Sequence, residues 1–179
     1  MPEQKTMAAV VYQPGEGEAA DAVLAQLAVV LRAEGVRLAG TVQRAAPANA
    51  GCRCDMLVLD LSTGVETSIA ENRGPEARGC RLDTRVLETL VGATQAALDN
   101  GADLLVINRF GKRETEGAGF RQVIGNAAAS DTPTLVAING GHLDAWREFT
   151  GDFGTELPPR LDALRSWFAG LRPLAEAAE

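Results

Sequence analysis

Residues 103–114 read DLLVINRFGKRE, and this stretch decides both the fold class and the place of the candidate site. Its aliphatic first half predicts a strand from Asp103 to Asn108 that is buried on both faces, as strands of parallel sheets are. Polar residues begin abruptly at the carboxyl end of this strand, with Asn108 and Arg109. Open α/β sheets bind their ligands at the carboxyl ends of their strands. The stretch therefore predicts a parallel sheet with a site at the edge where Arg109 lies.

The segment before this strand has the pattern of a βαβ unit. A strand is predicted at 7–12, a glycine-containing turn at 13–18, a helix from Ala19, and a second strand at 36–42. The helix has apolar residues three and four positions apart, and Gly35 is a typical residue to end it. The crossover between the two strands is expected to be right-handed.

The rest of the chain adds a hairpin and alternating helices and strands. The further predicted elements are hairpin strands at 54–61 and 65–70 around the turn 62–64, helices at 82–100, 120–129, 143–149 and 157–171, and a strand at 133–138. We therefore predict one α/β domain over residues 1–179, with a mostly parallel sheet flanked by helices, one antiparallel β-hairpin, and flexible tails at 1–6 and 174–179.

Composition narrows the classes of partner. The chain has 179 residues, a net charge of -7 and three cysteines. The acidic balance gives no general attraction for nucleic acid or an anionic membrane, so neither is expected as a partner. No apolar run reaches the roughly 18 residues needed to cross a bilayer, and the polar start is unlike a signal peptide. We therefore expect a cytoplasmic protein; the sequence leaves its oligomeric state open, a homo-oligomer included.

The first glycine turn lies where a phosphate-binding loop would lie, between the first strand and the first helix. Its glycines, Gly15 and Gly17, would let the backbone approach a phosphate closely. The lysine and the serine or threonine of a working loop are missing, and Glu16, Glu18 and Asp21 would repel a polyphosphate. The turn is interpreted as a plain strand-to-helix connection or as the remnant of such a loop.

The end of the central strand has lost the acidic residues that a metal-dependent nucleotide hydrolase needs to hold Mg²⁺. Asn108 and Arg109 stand there instead, so no Mg²⁺-dependent site is expected and no metal ligand is assigned. Arg109 and Lys112 favour direct binding of an anion through charge-assisted hydrogen bonds. Glu114 is the nearby carboxylate that could act as a base. The alternative is that residues 109–114 form a solvated charged loop.

A second polar cluster precedes the long helix. It contains Arg73, Arg78, Arg81 and Asp83. Arginines at the start of a helix make a receptor for an oxyanion, and we expect Arg73 and Arg81 to take part. Arg78 is interpreted as an ordinary loop residue. Asp83 is expected to cap the helix or to orient a ligand.

Three cysteines and the lone histidine, Cys52, Cys54, Cys80 and His142, leave three interpretations open. They could form a Cys₃His metal site, although the spacing C-x-C is tighter than that of common zinc modules. Cys80 could be a nucleophile paired with His142. The third interpretation is unrelated thiols; the sequence does not show whether the four residues approach one another.

Over residues 7–140 the order of elements is similar to that of the small P-loop nucleoside-triphosphatase family of bacteria and archaea. In the Walker B strand of that family an acidic pair is followed by the pattern x-Gly-Lys-x-Glu, and here Gly111, Lys112 and Glu114 keep their places. The motifs GCRLD at 79–83 and NRFGK at 108–112 more closely resemble an uncharacterised bacterial family. That family looks like a degenerate branch without the Walker A lysine and the Walker B acids.

The resemblance implies a P-loop type of fold, and the missing residues imply that hydrolysis of nucleoside triphosphates is lost. Some members of that branch are encoded beside molybdate-uptake systems, which adds molybdate to the ligands implied. We therefore expect a small-ligand-binding protein of P-loop descent, binding a nucleotide or an oxyanion such as phosphate or molybdate at the carboxyl edge of the sheet. The expected ligand-binding residues are Gly15, Gly17, Arg73, Arg81, Asp83, Asn108, Arg109 and Lys112.

Two alternatives from other functional classes remain. One is a nucleotide or phosphate-ester hydrolase with relocated catalytic groups, in which Glu114 or Asp83 acts as the base. The other is an interaction module with an empty site. No cofactor is identified by the sequence.

Overall fold

The computed structural model describes residues 5–44, 56–70 and 82–172, apart from the side chain of Asp152. The strands are β1 (Met7–Tyr12), β2 (Leu38–Arg44), β3 (Leu57–Asp60), β4 (Glu66–Ser68), β5 (Leu104–Ile107), β6 (Thr134–Asn139) and β7 (Gly154–Leu157). The helices are α1 (Gly17–Ala33), α2 (Thr84–Asp99), α3 (Lys112–Thr115), α4 (Arg121–Ala129), α5 (Leu143–Thr150) and α6 (Leu161–Leu171).

These strands form one seven-stranded sheet in the order β4-β3-β2-β5-β6-β1-β7. The pairs from β2 through β5, β6 and β1 to β7 are all parallel. The strand β3 runs antiparallel to β2, and β4 antiparallel to β3. The mostly parallel sheet with an antiparallel hairpin is therefore confirmed. The two strands of the predicted βαβ unit, β1 and β2, are parallel but separated by β6 and β5.

Two short elements were not predicted. The strand β7 has the sequence GTEL and pairs with β1 in parallel. It is brief and contains a glycine and a glutamate, so it has no apolar alternation to reveal it. The helix α3 lies in the segment that one interpretation treated as a solvated loop. In addition, α1 begins at Gly17, two residues before the predicted start at Ala19, and β2 begins at Leu38.

The sheet is covered on both faces, which gives the protein two apolar cores. Residues of α1 and α6 pack on one face, and residues of α2, α4 and α5 pack on the other. The strand β5 contributes to both, because Leu104 and Val106 face the first core while Leu105 and Ile107 face the second. All four residues are at most 1% exposed. Among the described helices, none is long and apolar enough to span a membrane.

The helix α2 begins at the predicted cap. The Asp83 carboxylate accepts hydrogen bonds from the backbone N–H groups of Arg85 and Val86 at 3.0 and 3.4 Å. These groups have no partner within the helix itself, so the cap satisfies two of its free donors. The carboxylate is also well placed against the positive end of the helix dipole.

The central strands approach most closely at Gly40 of β2. Gly40 has a φ of +111° and lies opposite Val106 of β5. A Cβ atom at residue 40 would lie 1.8 Å from the carbonyl oxygen of Val106, far inside contact distance. Both the backbone conformation and the close approach therefore require glycine here.

We predict that Gly40→Ala destabilises the protein by more than about 3 kcal/mol, because the strands must separate or the backbone must change conformation. The control is Gly92→Ala, in the middle of α2, where a Cβ would meet nothing within 4 Å. That variant is expected to gain about 0.5–1 kcal/mol, because alanine is the better helix former. Urea denaturation of both variants measures the difference. Similar free energies of unfolding for the two variants would contradict the requirement for glycine at position 40.

Candidate functional site

The carboxyl edge of the sheet brings the first glycine turn and the end of β5 to the same side of the molecule. The turn at residues 13–16 is short, and two hydrogen bonds join its first and last residues. The backbone N–H of Glu16 donates to the carbonyl of Gln13 at 3.0 Å, and the backbone N–H of Gln13 donates to the Glu16 carboxylate at 3.1 Å. Gly15 has a φ of +88°, which explains the glycine at this point.

Arg109 connects this turn region with the end of β5. Its two terminal nitrogens form a bidentate ion pair with the Asp21 carboxylate of α1, at 2.5 and 2.9 Å. The same nitrogens donate to the carbonyl of Asn108 at 2.8 Å and to that of Gly17 at 3.4 Å. The guanidinium also lies over the ring of Tyr12, 5.0 Å from its centroid. Since β6 lies between β5 and β1, the side chain of Arg109 spans the end of β6.

The ion pair is only partly open to solvent. The side chain of Asp21 is 12% exposed and that of Arg109 is 31% exposed. Burial raises the pKa of Asp21, and the hydrogen bonds and charge of Arg109 do not fully offset this effect. Burial likewise raises the pKa of the adjacent Tyr12. The ionised Asp21 is therefore held at a desolvation cost that Arg109 compensates only in part.

Asn108 belongs to a neutral polar network between β5 and β2. It is 7% exposed and accepts a hydrogen bond from the hydroxyl of Thr41 at 2.8 Å. Its amide nitrogen donates to the side-chain carbonyl of Gln43 at 3.4 Å, near the outer limit for such a bond. Thr41 and Gln43 are two residues apart on β2, so they point to the same side of the strand. Neither residue was a sequence-based candidate.

Glu114 is part of the framework of the segment 111–120. It is 6% exposed, and its carboxylate accepts hydrogen bonds from the backbone N–H groups of Gly111 at 3.0 Å and Phe120 at 3.2 Å. A Cβ atom at Gly119, which has a φ of +61°, would lie 2.3 Å from the same carboxylate. The interpretation of 109–114 as a solvated charged loop is therefore wrong for Glu114 and Arg109, since both are engaged within the fold.

The other site residues predicted from the sequence lie in several different places. Lys112 is exposed, with its ammonium group 3.9 Å from the Glu116 carboxylate. Asp83 is engaged as the cap of α2. Arg73, Arg78, Arg81, Cys52, Cys54 and Cys80 lie outside the described residues. His142 follows β6 and is half-buried. Within the described ranges no group of three His, Cys, Asp or Glu residues could hold a metal ion.

A separate groove of about 610 Å³ lies at the opposite, amino edge of the sheet. Its walls include Arg32, Arg37 and Ala97. Both arginines already have partners, because Arg32 donates to the carbonyl of Leu61 and Arg37 pairs with Asp103. None of the predicted ligand-binding residues lines this groove.

The parallel sheet, the glycine turn between β1 and α1, and the polar end of β5 define a protein with the P-loop NTPase type of fold. The crystal structure of THEP1 from the hyperthermophile Aquifex aeolicus shares this fold, with a TM-score of 0.61 over 95% of this chain and 98% of that one. The two sequences are 13% identical, so the likeness shows the fold alone. The chain belongs to the family described as "Protein of unknown function (DUF2478)", whose model matches residues 7–167.

One curated relative extends the comparison. The chain is 36% identical over 162 residues to the molybdenum import ATP-binding protein ModC 2 of Bradyrhizobium diazoefficiens. The match covers 90% of this chain but 18% of that protein, so the chain spans less than a fifth of the relative's length. The likeness to the solved structure, and not this match, confirms the predicted resemblance to P-loop proteins at the level of fold.

We predict that Asp21→Leu and Arg109→Leu each destabilise the protein by about 1–3 kcal/mol, because each leaves a half-buried charge without its partner. The double variant is expected to recover most of this loss, since neither charge remains to be desolvated. Urea denaturation of the wild type and the three variants gives the coupling energy. If the losses in unfolding free energy of the two single variants simply add in the double variant, the two side chains do not stabilise each other.

We also predict that Glu114→Ala loosens the segment 111–120, because two buried backbone N–H groups lose their acceptor. Trypsin should then cleave after Lys112 and Arg113 several-fold faster than in the wild type, as local opening becomes easier. Glu116→Ala is the matched control, because Glu116 lies in the same segment but is exposed. Equal cleavage of the two variants would contradict the structural role of Glu114.

Proposed function

We propose that the chain binds a small oxyanion at the carboxyl edge of its sheet, either the phosphate of a nucleotide or a free tetrahedral anion such as molybdate. The observation that supports this most directly is the position of Arg109, whose guanidinium lies beside Gly17 at the start of α1. The N-cap residue of α1, Glu16, makes no side-chain capping hydrogen bond, and the helix begins at Gly17, beside the guanidinium. Backbone N–H groups and a guanidinium are the donors that oxyanions favour.

The remaining residues of this edge fit binding without metal-dependent hydrolysis. The place of the acidic pair is taken by Asn108 and Arg109, and the Asn108 oxygen already accepts a hydrogen bond from Thr41. The two candidate bases are also engaged, Glu114 with backbone N–H groups of its own segment and Asp83 with those of α2. We therefore propose that this chain does not hydrolyse nucleoside triphosphates.

The relatives support the choice of ligand class. The name of ModC 2 joins molybdenum import to ATP binding, and both molybdate and the phosphates of ATP are tetrahedral oxyanions. A fold shared with P-loop proteins supports the same edge of the sheet as the place of binding. We infer that the chain acts in the cytoplasm by binding one of these anions.

Thermal denaturation with added anions tests the proposal. Phosphate, molybdate, sulfate, ADP and ATP, the nucleotides with and without Mg²⁺, are compared with sodium chloride at the same ionic strength. A ligand at about 100 times its Kd stabilises the native state by about 2.7 kcal/mol, which is a rise of several degrees in Tm. Stabilisation by the free anions would identify an oxyanion receptor. Stabilisation by the nucleotides alone would identify a nucleotide site.

Arg109→Gln should abolish this response. The matched control is Arg37→Gln, because Arg37 also pairs with an aspartate but lies at the start of β2, at the opposite edge of the sheet. That variant should keep the full response. Stabilisation of the wild type by none of the anions would overturn the binding proposal and favour an interaction module. Release of phosphate from ATP that stops in Glu114→Gln would favour a hydrolase.

A further inference from the structure

We propose that Asp21 is an internal competitor for Arg109, and that an incoming oxyanion takes the place of the Asp21 carboxylate on the guanidinium. This inference rests on the proposed function, because it concerns how the same site is opened. The Asp21 carboxylate occupies the part of the guanidinium that the anion would contact. Binding of the anion and release of Asp21 are then one exchange.

The hydrogen bonds of Arg109 favour an exchange at its two terminal nitrogens. A guanidinium has five N–H donors, four of them on its two terminal nitrogens. Those two nitrogens already form four hydrogen bonds, two to Asp21 and one each to the carbonyls of Asn108 and Gly17. A bidentate contact with an anion through these nitrogens therefore requires that Asp21 gives up its place.

The geometry suits such an exchange. A tetrahedral oxyanion presents two oxygens to a guanidinium in the same forked arrangement as a carboxylate does. The guanidinium lies on the ring of Tyr12, beside the first residue of α1, and its side chain is 31% exposed.

The energetics of the pair point in the same direction. Counted over the whole residue, Asp21 is 9% exposed. This burial raises the pKa of its carboxyl group even though Arg109 opposes the shift. Glu18, one position beyond Gly17 on α1, adds further repulsion to the ionised carboxylate. The raised pKa favours the neutral form of Asp21, which binds a guanidinium less strongly than the carboxylate does. A doubly charged anion is also a stronger partner for the guanidinium than a single carboxylate.

The test compares anion affinity in Asp21→Asn with that in Glu18→Gln. Both variants remove one negative charge from the first turns of α1, but only Asp21 contacts Arg109. Titration calorimetry with inorganic phosphate, molybdate and ADP gives the Kd values. If Asp21 closes the site most of the time, its removal should lower Kd by about tenfold or more. Glu18→Gln should lower it by less than about twofold, because that charge is exposed and screened.

The outcomes separate this inference from the proposed function. Tighter binding in Asp21→Asn than in Glu18→Gln, lost again on addition of Arg109→Gln, supports the exchange. Equal affinities in the wild type, Asp21→Asn and Glu18→Gln would overturn the exchange but leave anion binding intact. Absence of binding in the wild type and in Asp21→Asn would overturn both.

A measurement on the wild-type protein removes dependence on the stability of the variant. The side-chain resonances of Arg109 and the carboxyl carbon of Asp21 are followed by NMR during titration with inorganic phosphate. Exchange predicts that both signals shift together with the same midpoint. Phosphate binding that moves the signal of Arg109 and leaves that of Asp21 unchanged would overturn the inference.

Discussion

The ion pair between Arg109 and Asp21 is the interaction on which the carboxyl edge depends. It reaches from the end of β5 across β6 to α1, and so joins elements that share no direct strand pairing. It also places a guanidinium beside Gly17, the first residue of α1. The pair thus has two consequences: it connects α1 to the end of β5, and it places a carboxylate against the guanidinium.

Around this pair, the end of β5 is surrounded by polar groups. Thr41, Gln43 and Asn108 contribute hydroxyl and amide groups in place of carboxylates, and Glu114 is turned inwards to hold its own segment. These hydroxyl and amide groups satisfy one another by hydrogen bonds between β2 and the end of β5.

The sequence allowed the framework to be predicted better than the site. The strand β1 was predicted at its observed bounds because six apolar residues precede a turn with proline and glycine, and α2 followed from an aspartate cap and a regular apolar stripe. These signals are local. The partner of Arg109 lies 88 residues away, and no spacing rule connects Asp21 to it. From the sequence alone, Asp21 is interpreted as a charge that repels phosphate and Glu114 as a candidate base. The burial and pairing of both residues depend on the tertiary structure, so no local pattern predicts them.

The close approach at Gly40 also determines where the polar network can form. Gly40 lies opposite Val106, so Thr41 lies opposite Ile107 and reaches Asn108 just beyond it. A residue with a side chain at position 40 would press its Cβ atom against the Val106 carbonyl and push the two strands apart. The alignment of Thr41 with Asn108 therefore depends on a residue without a side chain, one position earlier on β2.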